Sequence, residues 1–166
     1  QLLIPNWKVG LTGFIVSSIV LSLLSTLILS IVNAVLLLIF LDSTLKNYLE
    51  FTMFLDVTIR VMIFAIVLTL LAIFLIRLTK KSMSSLIAIV LLLVITLSGI
   101  LRGISSKLEN LLPLIGAKSF AFGRIEGTQT SQLYGFTLLV VEGILFLVLI
   151  IVVEKIRMGR KNGKSI

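Results

Sequence analysis

Four long apolar runs divide this chain, and most of its charge lies in the segments between and after them. The first extends from about Leu11 to Leu41, and the second is centred on Val61 to Ile76. The third is centred on Leu86 to Leu101, and the fourth runs from Leu133 to Val153. A helix needs about 20 mostly apolar residues to cross roughly 30 Å of hydrocarbon. The outer two runs reach that length directly. The middle two are short by themselves, and their flanks, Val57 to Arg60 and Ser82 to Ser85, continue the helical pattern. No Pro interrupts a core, and none of the runs alternates apolar with polar as a barrel strand does. The predicted fold class is an all-α membrane protein with four transmembrane helices, at about 11–41, 57–77, 82–101 and 133–153. They form a single transmembrane domain, with a basic tail over 154–166.

The connectors have patterns of their own. Asp42, Lys46 and Glu50 recur at i, i+4, i+8, and Asp56 with Arg60 repeats the i, i+4 spacing. Opposite charges so placed share a helical face, each pair being worth a few tenths of a kcal/mol. The spacing predicts a helix running into the second span, with an external ion site of Asp42, Glu50 and Asp56 as the functional alternative. The connector over 102–132 is long for a segment without structure. Leu101, Ile104, Leu108, Leu111, Leu112 and Ile115 follow helical spacing until Pro113 and Gly116 interrupt them, and a second apolar piece covers Phe120 to Ile125. The pattern predicts a short interfacial or re-entrant helical pair between the third and fourth spans. It serves either as a connector or as an outer lid built around Leu111, Leu112 and Pro113.

Composition removes the competing classes. Apolar residues make up 58% and charged residues 13%, too little polar surface for a soluble domain and too much hydrophobicity for a disordered one. With neither Cys nor His, the chain has no disulfide, no Cys or His metal ligand and no Ser-His-Asp triad. No metal site or cofactor is expected. The first ten residues do not show the pattern of a signal peptide. The net charge of +8 is distributed as a topology signal and does not point to nucleic acid. Four crossings put both ends on one side. That side carries nine basic residues: Lys8, Arg77, Lys80, Lys81, Lys155, Arg157, Arg160, Lys161 and Lys164. The opposite side carries six: Lys46, Arg60, Arg102, Lys107, Lys118 and Arg124. The excess predicts both termini in the cytoplasm, in a multi-pass protein of the plasma membrane.

Among residues that carry chemistry, Glu142 stands out as an acid near the middle of the fourth run, roughly 13 Å from Leu133 along a helix. An ionised carboxylate at that depth costs several kcal/mol, so the side chain faces other helices or water. Its role is either assembly, through hydrogen bonds to a neighbouring helix, or substrate passage and gating. Asn33 is a candidate polar neighbour. Ser18, Ser22, Ser25 and Asn33 fall at i, i+4, i+7 and i+15 in the first span and share a face, either for close packing or as the lining of a substrate path. Gly99 and Gly103 form a weak GxxxG packing motif. Gly159, Gly163, Lys164 and Ser165 have the wrong spacing and context for a phosphate loop, so the tail is expected to anchor at anionic headgroups.

The order of these elements resembles the C-terminal part of a permease subunit from the type-2 family of ABC exporters, over roughly Trp7 to Lys161. The likeness is carried by a basic entry into a long span and by the inner turn Arg77-Leu78-Thr79-Lys80-Lys81-Ser82. It continues with an outer pair of short helices around Leu111-Leu112-Pro113 and a final span ending in Glu154-Lys155-Ile156-Arg157. The resemblance implies the last four spans of a six-span bacterial subunit that forms a translocation path with a second permease copy or homologue. It implies a separate ATP-binding subunit as partner, with ATP hydrolysed on that chain and none here. Trp7, Lys8, Arg77, Lys80 and Lys81 would face the ATPase. Glu142, Asn33, Ser22 and Ser25, read from their own positions and matching no family motif, are the residues expected on the substrate path. A non-catalytic four-span accessory or immunity protein and a proton or ion pathway centred on Glu142 are the alternatives.

Overall fold

The computed structural model describes residues 7–40, 51–98, 100, 114, 115, 120 and 132–162. Among these, all regular structure is helical. Four helices follow in order: α1 (Trp7–Phe40), α2 (Phe51–Thr79), α3 (Ser82–Ser98) and α4 (Gln132–Asn162). Three contain stretches long and apolar enough to cross a membrane, Gly10–Phe40, Phe51–Thr79 and Leu133–Met158. The third, α3, has 17 residues and an apolar stretch of Ser82–Thr96, so it rises about 25 Å, a little under the hydrocarbon thickness. The predicted span boundaries at Leu41 and Leu101 lie outside the described residues, as do Asp42, Lys46 and Glu50. The Asp56–Arg60 pair does form, at 2.7 Å, with Asp56 exposed.

The chain divides into two compact units, Gln1–Thr69 and Leu70–Ile166. In the first, α1 carries long rows of exposed apolar side chains, such as Leu21, Ile28 and Ile39, and Leu11 is its one buried residue among those described. Its hydroxyls turn back on their own helix. Ser17 Oγ donates to the Phe14 carbonyl (3.0 Å), Ser25 Oγ to Leu21 (2.8 Å) and Thr26 Oγ1 to Ser22 (2.8 Å). Such bonds satisfy polar atoms without a partner helix. Ser22 alone of the predicted stripe reaches across, its Oγ donating to the Ala65 carbonyl of α2 at 3.5 Å. The same carbonyl accepts from Thr69 Oγ1 at 2.7 Å.

The second unit has the better-defined core. Along α4, Gly135, Leu139, Gly143, Phe146 and Ile150 are buried at spacings of three and four, one stripe of a 3.6-residue helix. Two glycines in the stripe allow close backbone approach, the usual device where lipid removes the hydrophobic drive for helix association. Leu70, Leu71 and Ile73 are buried on α2, and the Phe74 and Phe146 rings stack with centroids 6.3 Å apart. On α3, Ser85 and Thr96 are fully buried three turns apart on one face. Phe74 meets Phe146 and, further along both helices, Arg77 meets Glu154. The end of α2 and the second half of α4 therefore run in the same direction. A two-residue turn joins the end of α2 to the start of α3.

Phe146→Ala leaves a cavity on the buried stripe, and the cavity part of the cost persists where lipid is the reference environment. A loss of roughly 2 kcal/mol is expected, read as a lower thermal midpoint in detergent, with Leu145→Ala on the exposed face near neutral.

Candidate functional site

The second unit holds two polar centres, one in the middle of α4 and one at its C-terminal end. At the first, the backbone N–H of Leu114 donates to both carboxylate oxygens of Glu142, Oε1 and Oε2, each at 3.0 Å. Leu114 is 1% exposed and has φ of 69°, the left-handed region. For a residue with a Cβ that conformation costs about 1–2 kcal/mol, and it turns the amide toward the carboxylate. The contact answers the need of an acid set roughly 13 Å along α4 from Leu133, where hydrocarbon offers no donor. Among the described residues the two oxygens share this one donor. Six positions along in sequence, Phe120 packs on Phe136, with ring centroids 5.4 Å apart and planes tilted by 42°. From Glu142 back to Phe136 is also six positions, about 9 Å, so Leu114 and Phe120 step along α4 toward its N-terminal end.

The second centre is the junction of α2 and α3. Thr79 ends α2, and the amide of Lys80 donates to the Ile76 carbonyl at 3.0 Å with Lys80 at φ 60°. This is the single-bond left-handed helix stop that usually takes Gly. Lys81 precedes α3, its carbonyl accepting from the Ser85 amide at 3.2 Å. Thr79 Oγ1 lies 2.8 Å from Ser85 Oγ and accepts from the Lys81 amide at 3.3 Å, while Ser85 Oγ also reaches the Lys81 carbonyl at 2.9 Å. The hydroxyl pair thus ties the end of α2 to the start of α3. Beside it, Glu154 Oε2 stands 3.5 Å from Arg77 Nη1 and 3.8 Å from Arg157 Nη1. One half-buried acid joins cations from two helices. Lys80, Lys81 and Lys155 at the same end are exposed.

The candidate residues are distributed accordingly. Arg77, Lys80 and Lys81 occupy the junction, and Trp7 and Lys8 open α1. Asn33 and Ser25 are exposed on α1, whereas Ser22 is half-buried. Leu111, Leu112 and Pro113 lie outside the described residues, as does the greater part of the connector over 102–132. Among the described residues, no cluster of three or more Asp, Glu, His or Cys is arranged to hold a metal ion. Sequence reasoning missed Leu114, Ser85 and Glu154. Ser85 is one of several serines at the start of α3, and nothing in its spacing separates it from Ser82 or Ser84. A bare amide and an acid paired to an arginine 77 positions away leave no local mark. No family model, no curated protein and no solved structure matches this chain.

Since Lys80 carries the left-handed stop, Lys80→Gly should stabilise the protein by about 0.5–1 kcal/mol and Lys80→Val should destabilise it. Thermal midpoints of the two variants in detergent check the opposite signs.

Proposed function

We propose that this chain is the membrane-embedded portion of a permease subunit of a type-2 ABC exporter. It crosses the plasma membrane four times with both termini in the cytoplasm. The observation that carries the reading is the position of Leu114, directly after Leu111-Leu112-Pro113, against the middle of the last span. The resemblance implies an outer pair of short helices around that Leu-Pro, and the contact of Leu114 with Glu142 supports such a segment lying against the last span. The parallel course of α2 and α4 supports α3 as the return crossing, despite its 17 residues. The shared end of α2 and α4 supports the orientation. Among the described residues it gathers Arg77, Lys80, Lys81, Lys155 and Arg157 around a single acid, the pattern of a cytoplasmic face.

In this reading the substrate path runs between this chain and a second permease copy or homologue. Glu142 and Ser22 lie on or beside it, and Asn33 and Ser25, exposed on α1, face the second copy or the path. A separate ATP-binding subunit docks on the turn at Lys80 and Lys81 and on the start of α1 at Trp7 and Lys8. The hydroxyl pair Thr79–Ser85 and the Arg77–Glu154–Arg157 bridge make that turn rigid against α2, α3 and α4. A push on Lys80 and Lys81 moves the helices as bodies and does not merely bend a loop. The carrier is non-catalytic, and the chemistry of ATP stays on the partner.

Purification of the tagged full-length subunit from its native membranes is expected to bring down a nucleotide-binding subunit with ATPase activity. The double variant Lys80→Glu, Lys81→Glu is expected to lose coupling, with ATP hydrolysis retained and export reduced about tenfold or more. Recovery of the chain without any ATPase overturns the permease reading in favour of an accessory protein. Normal coupling in the double variant overturns the docking assignment.

A further inference from the structure

In α1, Ile15, Ile19, Ser22 and Thr26 recur at steps of four and three, the seam of a helix that packs lengthwise on another. All four are half-buried, and Ser22 Oγ donates from this row to the Ala65 carbonyl of α2 at 3.5 Å. The row keeps its rhythm through Leu29, Asn33, Leu36 and Phe40, which cover about 16 Å of helix. There it is open: Leu29 is 62% exposed, Leu36 45% and Phe40 81%, and Asn33 is exposed among them. One continuous seam is thus covered over its first half and uncovered over its second. The uncovered half carries Asn33, the one carboxamide among the 34 residues of α1. It lies within the apolar stretch Gly10–Phe40, and hydrocarbon offers no hydrogen-bond partner to an exposed amide.

We infer that two copies of this chain pair along the open half of the seam, α1 against α1, with Asn33 of each bonded to its equivalent in the other. The covered half shows that the seam takes a helix, and the open half continues that contact without a break in spacing. Symmetry and chemistry name the partner. Copies inserted in one membrane share one orientation, so their α1 helices run parallel. A two-fold axis along the membrane normal then sets each seam residue against its own equivalent. A carboxamide both donates and accepts, so two of them satisfy one another. A single Asn on an apolar heptad seam fixes the register of parallel helix pairs, and Asn side chains bond across helices within membranes. An unrelated helix would have to bring a matching polar group to the same depth, whereas a second copy always does. The pairing needs only that α1 lies in the bilayer, and its use as one wall of an export path rests on the permease reading above.

The absence of cysteine from the whole chain makes the test direct. Two differently tagged copies of the full chain, each with the same single cysteine, are co-expressed, and their membranes are oxidised with copper phenanthroline. A disulfide forms where Cα atoms come within about 7 Å, as facing seam positions of paired helices do. Leu29→Cys and Leu36→Cys should give a product carrying both tags about tenfold faster or more than Ile31→Cys and Leu38→Cys, which are exposed on the opposite side of α1. In the Leu36→Cys background, Asn33→Leu removes the amide and should slow the product about fivefold. Asn33→Gln keeps the amide and should stay within about twofold of the parent. No product, or equal rates on the two sides, overturns pairing at this face. A seam product that joins one tag to a different protein overturns the second copy as the partner. Rates unchanged by Asn33→Leu overturn the Asn33 bond as its basis. No ATPase enters this assay. A chain that recruits no ATPase yet pairs through the seam loses the permease reading and keeps the interface, and the reverse result does the opposite.

Discussion

Hydrocarbon supplies neither donors nor acceptors, so a chain this apolar must find every polar partner within itself. Helices settle the backbone, and many of the described hydroxyls follow by bonding one turn back, as Ser25 does to Leu21 and Thr137 to Leu133. Glu142 has no such local escape, because no donor on its own helix faces it at the right distance. Its partner has to come from another segment. The left-handed backbone of Leu114 is what that demand costs, and it sets Leu114 against the middle of α4.

The same constraint decides what was legible in the sequence. Helix number and approximate extent follow from unbroken apolar runs, since a run of that length in lipid has one backbone solution. The Asp56–Arg60 pair follows from i, i+4 spacing, which is local geometry. Glu142 was visible as an interruption in an apolar run. Its partner was not, because a backbone amide has no side-chain identity and a left-handed Leu looks like any other Leu. The stripe in α1 shows the converse problem. Ser18, Ser22, Ser25 and Asn33 share a face by arithmetic, yet Ser25 bonds its own helix and only Ser22 reaches α2. Spacing describes a face and says nothing of whether anything packs on it.

At the other centre, two residues join α2 and α3, too few to act as a flexible link. A left-handed Lys ends one helix, and a Thr hydroxyl bonded across the gap to a Ser on the next closes the corner. Gly at the Lys80 position would make the same turn with less strain. Retaining a cation there, next to Lys81, puts two charges at the tip of the tightest turn described in the protein. In the permease reading proposed above, these are the charges the turn presents to the ATP-binding subunit.

The parallel run of α2 and α4 has an electrostatic corollary. Parallel neighbours place two carbonyl-rich, partially negative helix ends side by side, an unfavourable alignment that antiparallel pairs avoid. Arg77 lies in the last turn of α2 and compensates that end, while Lys155 and Arg157 lie between one and two turns before the end of α4. Glu154 then keeps Arg77 and Arg157 from repelling one another. The cations that the positive-inside rule counts thus also help to make the finished pairing tolerable.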